Sequence, residues 1–253
     1  MPDVPEPPVD DPLYRDPALA RFYDAANRWS ADFDLCRKLT DGATSILDLG
    51  CGTGELTAEL GRRARVTGVD PAAAMLDIAR KRRGGEAPTW VEADARTVRL
   101  HETFDWVLLT GHVFQVFLTR EDQLAALRTI AAHLNPTGRF IFDTRNPLLR
   151  GWEGRTRQNT LQRIDHPALG RIETWNEAAY DEATGILTYE NGFRVLATGE
   201  TSSGKARIRY TSHEDLCALL TEAGLEVERW LGDWDERPLH PDTREIIPIG
   251  RRG

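Results

Sequence analysis

Three glycines, Gly50, Gly52 and Gly54, alternate with small residues in the stretch ILDLGCGTG, and an acid, Asp48, stands just ahead of them. A glycine-rich turn leaving a strand presents bare backbone to a ligand, because residues without a Cβ take unusual dihedrals and permit close approach. A second acid, Asp70, follows Gly50 by 20 residues. At the end of a second strand such a carboxylate accepts hydrogen bonds from both hydroxyls of an adenosine ribose. A nicotinamide dinucleotide would use an acid there too, and a tight strand-to-helix turn with no ligand would also account for the glycines.

Several details separate these possibilities. The spacing is GxGxG, not the GxGxxG that seats a pyrophosphate on a helix N-terminus, and Glu55, next in the chain, would repel a pyrophosphate. No Lys stands in the turn, which excludes a P-loop. Asp48 suits a ligand with a cationic amino group. A sulfonium nucleoside with an amino-acid tail meets all these conditions.

The elements that must hold these residues alternate. Apolar residues at helical spacing from Leu19 to Leu39 predict one amphipathic helix. SILDLG, RVTGVD, PTWVEADA, FDWVLLTG and RFIFDT read as strands, with helices between them. One of these helices begins at Pro71 and another is capped by Thr119 with Asp122. From about Gly170 to Thr211 the pattern changes to antiparallel hairpins with no helix. A helix opened by Ser212 and two final strands, LEVERWLGDW and REIIPIG, close the chain. The expected fold is α/β: a doubly wound, seven-stranded, mainly parallel sheet with an antiparallel β insertion as a lid. The expected divisions are a flexible Pro- and Asp-rich arm over 1–17, a core with a cap helix over 18–150, the insertion over 151–211, and the rest of the core over 212–253.

The chain of 253 residues carries a net charge of −8, which argues against a nucleic-acid partner. The basic clusters at Arg62-Arg63-Arg65 and Lys81-Arg82-Arg83 sit near helix ends and read as solvated cations there. No apolar run approaches the length of a membrane helix. Cys36, Cys51 and Cys217 have neither metal nor disulfide spacing, so no metal is expected and a cytoplasmic location is the default. A monomer or a homodimer fits equally well.

ILDLGCGTG, followed by VTGVDPAAAML and VEADAR, resembles the class I S-adenosylmethionine-dependent methyltransferases over about Tyr23 to Asp143. The resemblance implies S-adenosyl-L-methionine as cofactor and S-adenosyl-L-homocysteine as product. It implies that Gly50, Gly52 and Gly54 cradle the methionine part and that Asp48 lies near its amino group. Asp70, beside Pro71, would hold the ribose, and Met75 would flank the adenine. Asp94 and the Ala95 backbone would meet the adenine edge. Thr110 would complete the cofactor wall, and Tyr23 and Trp29 would cap it, with Tyr23 near the reacting methyl.

The acceptor side rests on shorter likenesses. The segment after the fourth strand lacks the Asn/Asp-Pro-Pro-aromatic signature of DNA and protein-glutamine methyltransferases. It is more similar to small-molecule N-methyltransferases, with Gly111-His112-Val113-Phe114 where those carry Gly-Asn-Ser-Phe. His112 becomes a candidate base or positioner, because an imidazole can accept a proton or orient a partner by a hydrogen bond, and Gln115 a weaker substrate contact. FIFDTRNP resembles the Asp-His-Arg-Asn run of glycine N-methyltransferase and its relatives, which points to Asn146 and Arg145 as acceptor contacts. Arg150 and Trp152 are candidate walls at the start of the insertion, which small-molecule N-methyltransferases share in kind. The implied activity is methyl transfer to a small-molecule acceptor, with an amine favoured over a hydroxyl. A non-catalytic binder of S-adenosylmethionine is the alternative of another class.

Overall fold

The computed structural model describes residues 12–253. Three short helices, α1 (Pro12–Arg15), α2 (Pro17–Ala20) and α3 (Tyr23–Ala26), and a longer one, α4 (Ala31–Leu39), precede the sheet. Then β1 (Ser45–Leu49), α5 (Glu55–Leu60), β2 (Arg65–Asp70), α6 (Ala73–Lys81), β3 (Thr89–Glu92) and β4 (Phe104–Leu109) alternate. They are followed by α7 (Arg120–His133), β5 (Leu134–Phe142) and the two-residue strand β6 (Thr144–Arg145).

All five residues of β1 are buried, as in a strand covered by helices on both faces. Its alternate side chains enter different cores. Leu47 and Leu49 pack with Leu124, Leu127 and Ile130 of α7, whereas Ile46 packs with Leu35, Cys36, Leu56 and Leu60 of α4 and α5. The strand order is β11-β12-β5-β4-β1-β2-β3, with β11 (Leu225–Leu231) and β12 (Glu245–Arg252) reached through α9 (His213–Glu222). Strands β1 to β5 pair in parallel, and β12 alone runs against its neighbours β5 and β11. The short β6 pairs with the start of β12 and sets Arg145 opposite Glu245. The order reverses between β1 and β4, the switch point where such sheets bind ligands. The turns after these two strands touch there: a Cβ on Gly50 would lie 2.6 Å from Val113.

The insertion forms a separate antiparallel sheet, β10-β9-β8-β7, from β7 (Gln162–His166), β8 (Gly170–Asp181), β9 (Ile186–Val195) and β10 (Thr201–Arg209). Leu13, Leu19 and Phe22 of the N-terminal segment pack into it beside Ile172, Phe193 and Val195, with Phe22 stacked on Phe193 at 4.5 Å between ring centroids. The lid therefore packs on the cap, and its last strand also meets the segment after β4, where Arg209 donates to the Leu118 carbonyl and accepts from Gln115.

The expected α/β architecture with an antiparallel insertion is present, and four local expectations change. Pro12–Arg15 and Pro17 are helical, with Asp16 capping α2 between them, while 1–11 lie outside the described residues. The helix expected over Leu19–Leu39 is broken into α2, α3 and α4, with Asn27–Ser30 outside any helix. The helix expected to begin at Pro71 is capped at Ala72, where the backbone is held by Asp70. The insertion carries one more strand, β7, and a single helical turn, α8 (Arg157–Thr160), in a stretch whose polar composition gives no helical periodicity.

Gly50, Gly52 and Gly54 all have positive φ, at 71°, 54° and 72°. Their surroundings differ. A Cβ on Gly54 would lie 2.4 Å from the Trp90 ring, whereas one on Gly52 would meet only Tyr23, at 4.0 Å. Packing within the protein thus accounts for Gly50 and Gly54, and Gly52 is the position left open for a ligand. Gly54→Ala should lower the unfolding free energy by about 2–4 kcal/mol, combining left-handed strain with overpacking. Gly52→Ala should cost about 1–2 kcal/mol from the backbone alone. Denaturant titration of both variants checks the contrast, and equal losses would contradict it.

Candidate active site

The glycine turn is held from two sides. Asp70 accepts hydrogen bonds from the N–H of Gly52 (2.8 Å) and of Ala72 (2.9 Å), so one carboxylate fixes both the turn and the entry to α6. Burial raises its pKa, partly offset by these two bonds and by Arg15. From the other side, Thr53 donates to Asp24 (2.6 Å), and Arg82 donates to Asp24 (2.8 Å) and to the Thr53 carbonyl (2.6 Å). Arg82, expected to be a solvated helix-end cation, instead clamps α3 to the turn.

Asp48 is 4 % exposed and accepts one side-chain hydrogen bond, from Thr57 at 2.5 Å. Burial pushes its carboxyl up to about 7, with Thr57 opposing and Asp70 adding to the rise. An ammonium group brought to this carboxylate would stabilise its ionised form. Met75 is buried with Ala20 and Ala72, and Tyr14 and Tyr23 pack on that cluster. Tyr23 lies beside Gly52, and its phenol is raised by burial, then by Tyr14, Asp70 and Asp24. Tyr14, absent from the sequence-based candidates, also meets the Tyr189 hydroxyl of the lid at 2.6 Å and so joins cap to lid.

Asp94 is more committed than expected. Arg96 grips it through Nε and Nη2 (2.6–3.1 Å) and donates its own backbone N–H at 2.8 Å. Burial pushes Asp94 up, but the Arg96 hydrogen bonds outweigh it and hold the carboxyl below its ordinary range. Ala95, next in the chain, and Thr110, just past β4, are both buried.

On the acceptor side, Gly111 and His112 both take left-handed backbone conformations, φ 72° and 64°. Such a conformation is uncommon outside glycine. It directs the His112 N–H into Asp143, which accepts it on both oxygens at 3.1 Å. The imidazole follows: Nε2 lies 3.1 Å from both Glu245 oxygens and 3.3 Å from Asp143 Oδ2. Asp143 is 1 % exposed, and burial pushes its carboxyl up to about 6, with His112 lowering and Glu245 raising it. Among the described residues, His112, Asp143 and Glu245 have donor atoms that converge within 4.8 Å, close enough to coordinate a cation.

The remaining candidates divide. Gln115 is fully buried, donates to the Arg209 carbonyl (3.2 Å) and accepts from Arg145 Nη1 (2.8 Å), so these two residues form a unit. Trp152 stacks on Tyr180 at 3.9 Å and meets Tyr210 edge-on at 4.6 Å. Three expectations are corrected. Asn146 donates to the Pro241 and Thr243 carbonyls (3.1 and 2.9 Å) and accepts from the Leu148 N–H, which uses its amide as a latch on the loop before β12. Arg150 is an exposed residue paired with Glu153 and Glu182. Trp29 packs against Phe33 and donates to Asp34, on the α4 side of the sheet.

A depression of about 580 Å³ lined by Asp41–Thr44 and Gly61–Arg65 lies at the opposite, N-terminal ends of β1 and β2. Its three arginines are already paired with Glu59, Asp41 and Glu102.

A family model described as a methyltransferase domain matches residues 46–138, the span from β1 through the start of β5. The chain is 27 % identical over 213 residues to the cypemycin N-terminal methyltransferase of a Streptomyces species, covering 84 % of each. This chain is a class I S-adenosylmethionine-dependent methyltransferase. The fold agrees across the full length of solved methyltransferases. One from Clostridium acetobutylicum superposes with a TM-score of 0.79 at 18 % identity, covering 93 % of this chain and 98 % of that one. The sugar N-methyltransferase KedS8 from Streptoalloteichus sp. gives 0.72 at 22 % identity, covering 92 % and 91 %. At these identities the likeness is one of fold.

The methyltransferase's Asp48 makes a pH prediction. Its folded pKa of about 7 lies above the ordinary 3.8. Between these values the folded state holds a proton that the unfolded state has released, so Asp48's contribution to stability falls as pH rises through that window. Asp48→Asn should therefore stabilise the ligand-free protein at pH 8 by a few kcal/mol, on the order of 1.4 for each pH unit separating the folded and unfolded values. The gain should vanish near pH 4. Unfolding curves at the two pH values check it, and a gain independent of pH would refute it.

Proposed function

We propose that this methyltransferase moves the methyl group of S-adenosylmethionine to the nitrogen of a small amine. The observation that carries the proposal is the seat of His112 between two carboxylates, Asp143 and Glu245, beside the glycine turn. Two acids at one imidazole attract a cationic ammonium group, whereas a neutral hydroxyl gains little from them. The likeness to the cypemycin N-terminal methyltransferase and to the sugar N-methyltransferase KedS8 supports the same reading.

The cofactor supplies a methyl already activated by the sulfonium. Gly52 and Asp48 would hold its amino-acid tail, Asp70 its ribose hydroxyls, and Met75 and the Ala95 N–H its adenine. Asp94 would offer the adenine amino group only the carboxylate lone pairs that Arg96 leaves. Tyr23 would cover the methyl end and help to exclude water.

An amine acceptor arrives protonated and must lose that proton before its lone pair can attack. Glu245 accepts from His112 Nε2–H, which leaves Nδ1 as the basic nitrogen, the tautomer logic of a histidine oriented by a carboxylate. Nδ1 would take the ammonium proton and free the amine lone pair for the methyl carbon that the sulfonium supplies, with S-adenosylhomocysteine as the leaving group. Placing the two reactants in line contributes several kcal/mol of the barrier reduction.

His112→Ala should lower kcat by about 100-fold or more, the scale of general-base catalysis. It should leave S-adenosylhomocysteine affinity within about twofold. Glu245→Gln, which keeps the shape but not the charge, should lower kcat by about 10-fold. EDTA should leave turnover unchanged; loss that a divalent cation restores would reassign the three residues as a metal site. Unaltered kcat in His112→Ala would remove the base from the mechanism.

A further inference from the structure

The far side of the acceptor region is cationic. Arg145 stands opposite Glu245 across the β6–β12 pairing, yet makes no ion pair among the described residues; its guanidinium donates to the neutral Gln115 amide oxygen. Gln115 is itself fully buried and tied to the Arg209 carbonyl, so the Arg145 guanidinium is held by a neutral partner. Arg155 is the second such group. It donates to the Gly151 carbonyl (2.8 Å) and to Asn176 Oδ1 (3.4 Å), both neutral, and likewise makes no ion pair among the described residues.

Tyr210 connects the two. The residue is 6 % exposed, and its hydroxyl is buried with no hydrogen-bond partner among the described residues. Gln115, which holds Arg145, donates to the carbonyl of Arg209, next in the chain to Tyr210, and Trp152, whose carbonyl accepts the Arg155 N–H at 3.3 Å, meets the Tyr210 ring edge-on. Burial raises the phenol, and Arg145 and Arg155 oppose the rise. Arg145 faces Glu245 across the β6–β12 pairing, so this region adjoins the His112–Glu245 site. A buried hydroxyl without a partner costs free energy, and a guanidinium bonded only to neutral groups keeps its charge available to an anion. An oxyanion would satisfy all three.

We infer that the acceptor carries an oxyanion, a carboxylate or a phosphate, which binds between Arg145, Arg155 and the Tyr210 hydroxyl while its amine lies at His112. The inference rests on the amine-acceptor proposal and narrows it to zwitterionic acceptors. Guanidinium recognises both oxyanions through paired N–H donors. Trp152, stacked on Tyr180 and edge-on to Tyr210, walls the same region.

The test is calorimetric titration of the protein saturated with S-adenosylhomocysteine, using sodium benzoate in one arm and inorganic phosphate in the other. At least one anion should bind saturably. Arg145→Gln should weaken that binding by 10-fold or more, with partial recovery in Arg145→Lys, and Arg155→Gln and Tyr210→Phe should weaken it several-fold. The arm that binds identifies the oxyanion as carboxylate or phosphate. Thermal melting and homocysteine-cofactor affinity, both expected near wild type in Tyr210→Phe, guard against a folding defect. Absence of binding in both arms, or binding indifferent to Arg145→Gln and Arg155→Gln, would overturn the inference. Failure of the amine proposal reads differently: labelled methyl would then be found on oxygen in products from hydroxy acids, with the anion titration unaffected.

Discussion

The buried carboxylate of Asp143 is the constraint around which the acceptor side is organised. It ends β5 with almost no exposure to water and needs donors to satisfy its oxygens. The His112 backbone supplies them, and it can do so only from the left-handed turn that Gly111 and His112 adopt together. That turn brings the imidazole back across the sheet end to Glu245. Because the turn after β4 also presses Val113 against Gly50, the same geometry joins the acceptor side to the glycine turn. Strain at a non-glycine left-handed residue persists where the surroundings over-determine it, and such positions cluster at functional sites.

Charge divides the site into regions with different tasks. Asp48 and Asp70 form an acidic floor under the glycine turn, and burial raises the carboxyl pKa of both. Asp143 and Glu245 make a second acidic region around His112. Arg145 and Arg155 make a cationic region beside Tyr210. The cap and lid close over all three through the Phe22–Phe193 stack and the Tyr14–Tyr189 hydroxyl pair, while Arg82 and Asp24 bind the cap to the turn below. Cap, lid and turn are thus mechanically linked, so ordering one favours ordering the others.

The parallel core was legible because its strands are short apolar runs between amphipathic helices, and both the 3.6-residue and the fully buried patterns are local. The glycine turn and Asp70 were legible for the same reason: their partners lie within about one strand–helix unit. Glu245 was not, because only the β6–β12 pairing brings it to His112, 133 residues away, and no spacing records that. Asp143 stood in plain view in FIFDTRNP, but its neighbours Arg145 and Asn146 look more like ligand contacts in one dimension than a buried acid does. Asn146 proved to serve the loop before β12 and Arg150 the surface, since polar residues at a strand end meet backbone carbonyls as readily as a substrate. The N-terminal helix broke because Phe22 and Leu19 turn toward the lid while Leu35 and Cys36 turn toward the sheet, and no single straight helix serves both.

The central claim is that His112, oriented by Glu245 and anchored by Asp143, faces the transferring methyl. A crystal structure with S-adenosylhomocysteine bound tests this most directly. The account predicts that the sulfur points into a chamber bordered by Tyr23 and His112, with His112 Nε2 still on Glu245 and Nδ1 turned toward the space beyond the sulfur. A sulfur that faces away from His112, or an imidazole whose Nδ1 is sealed against protein, would contradict it.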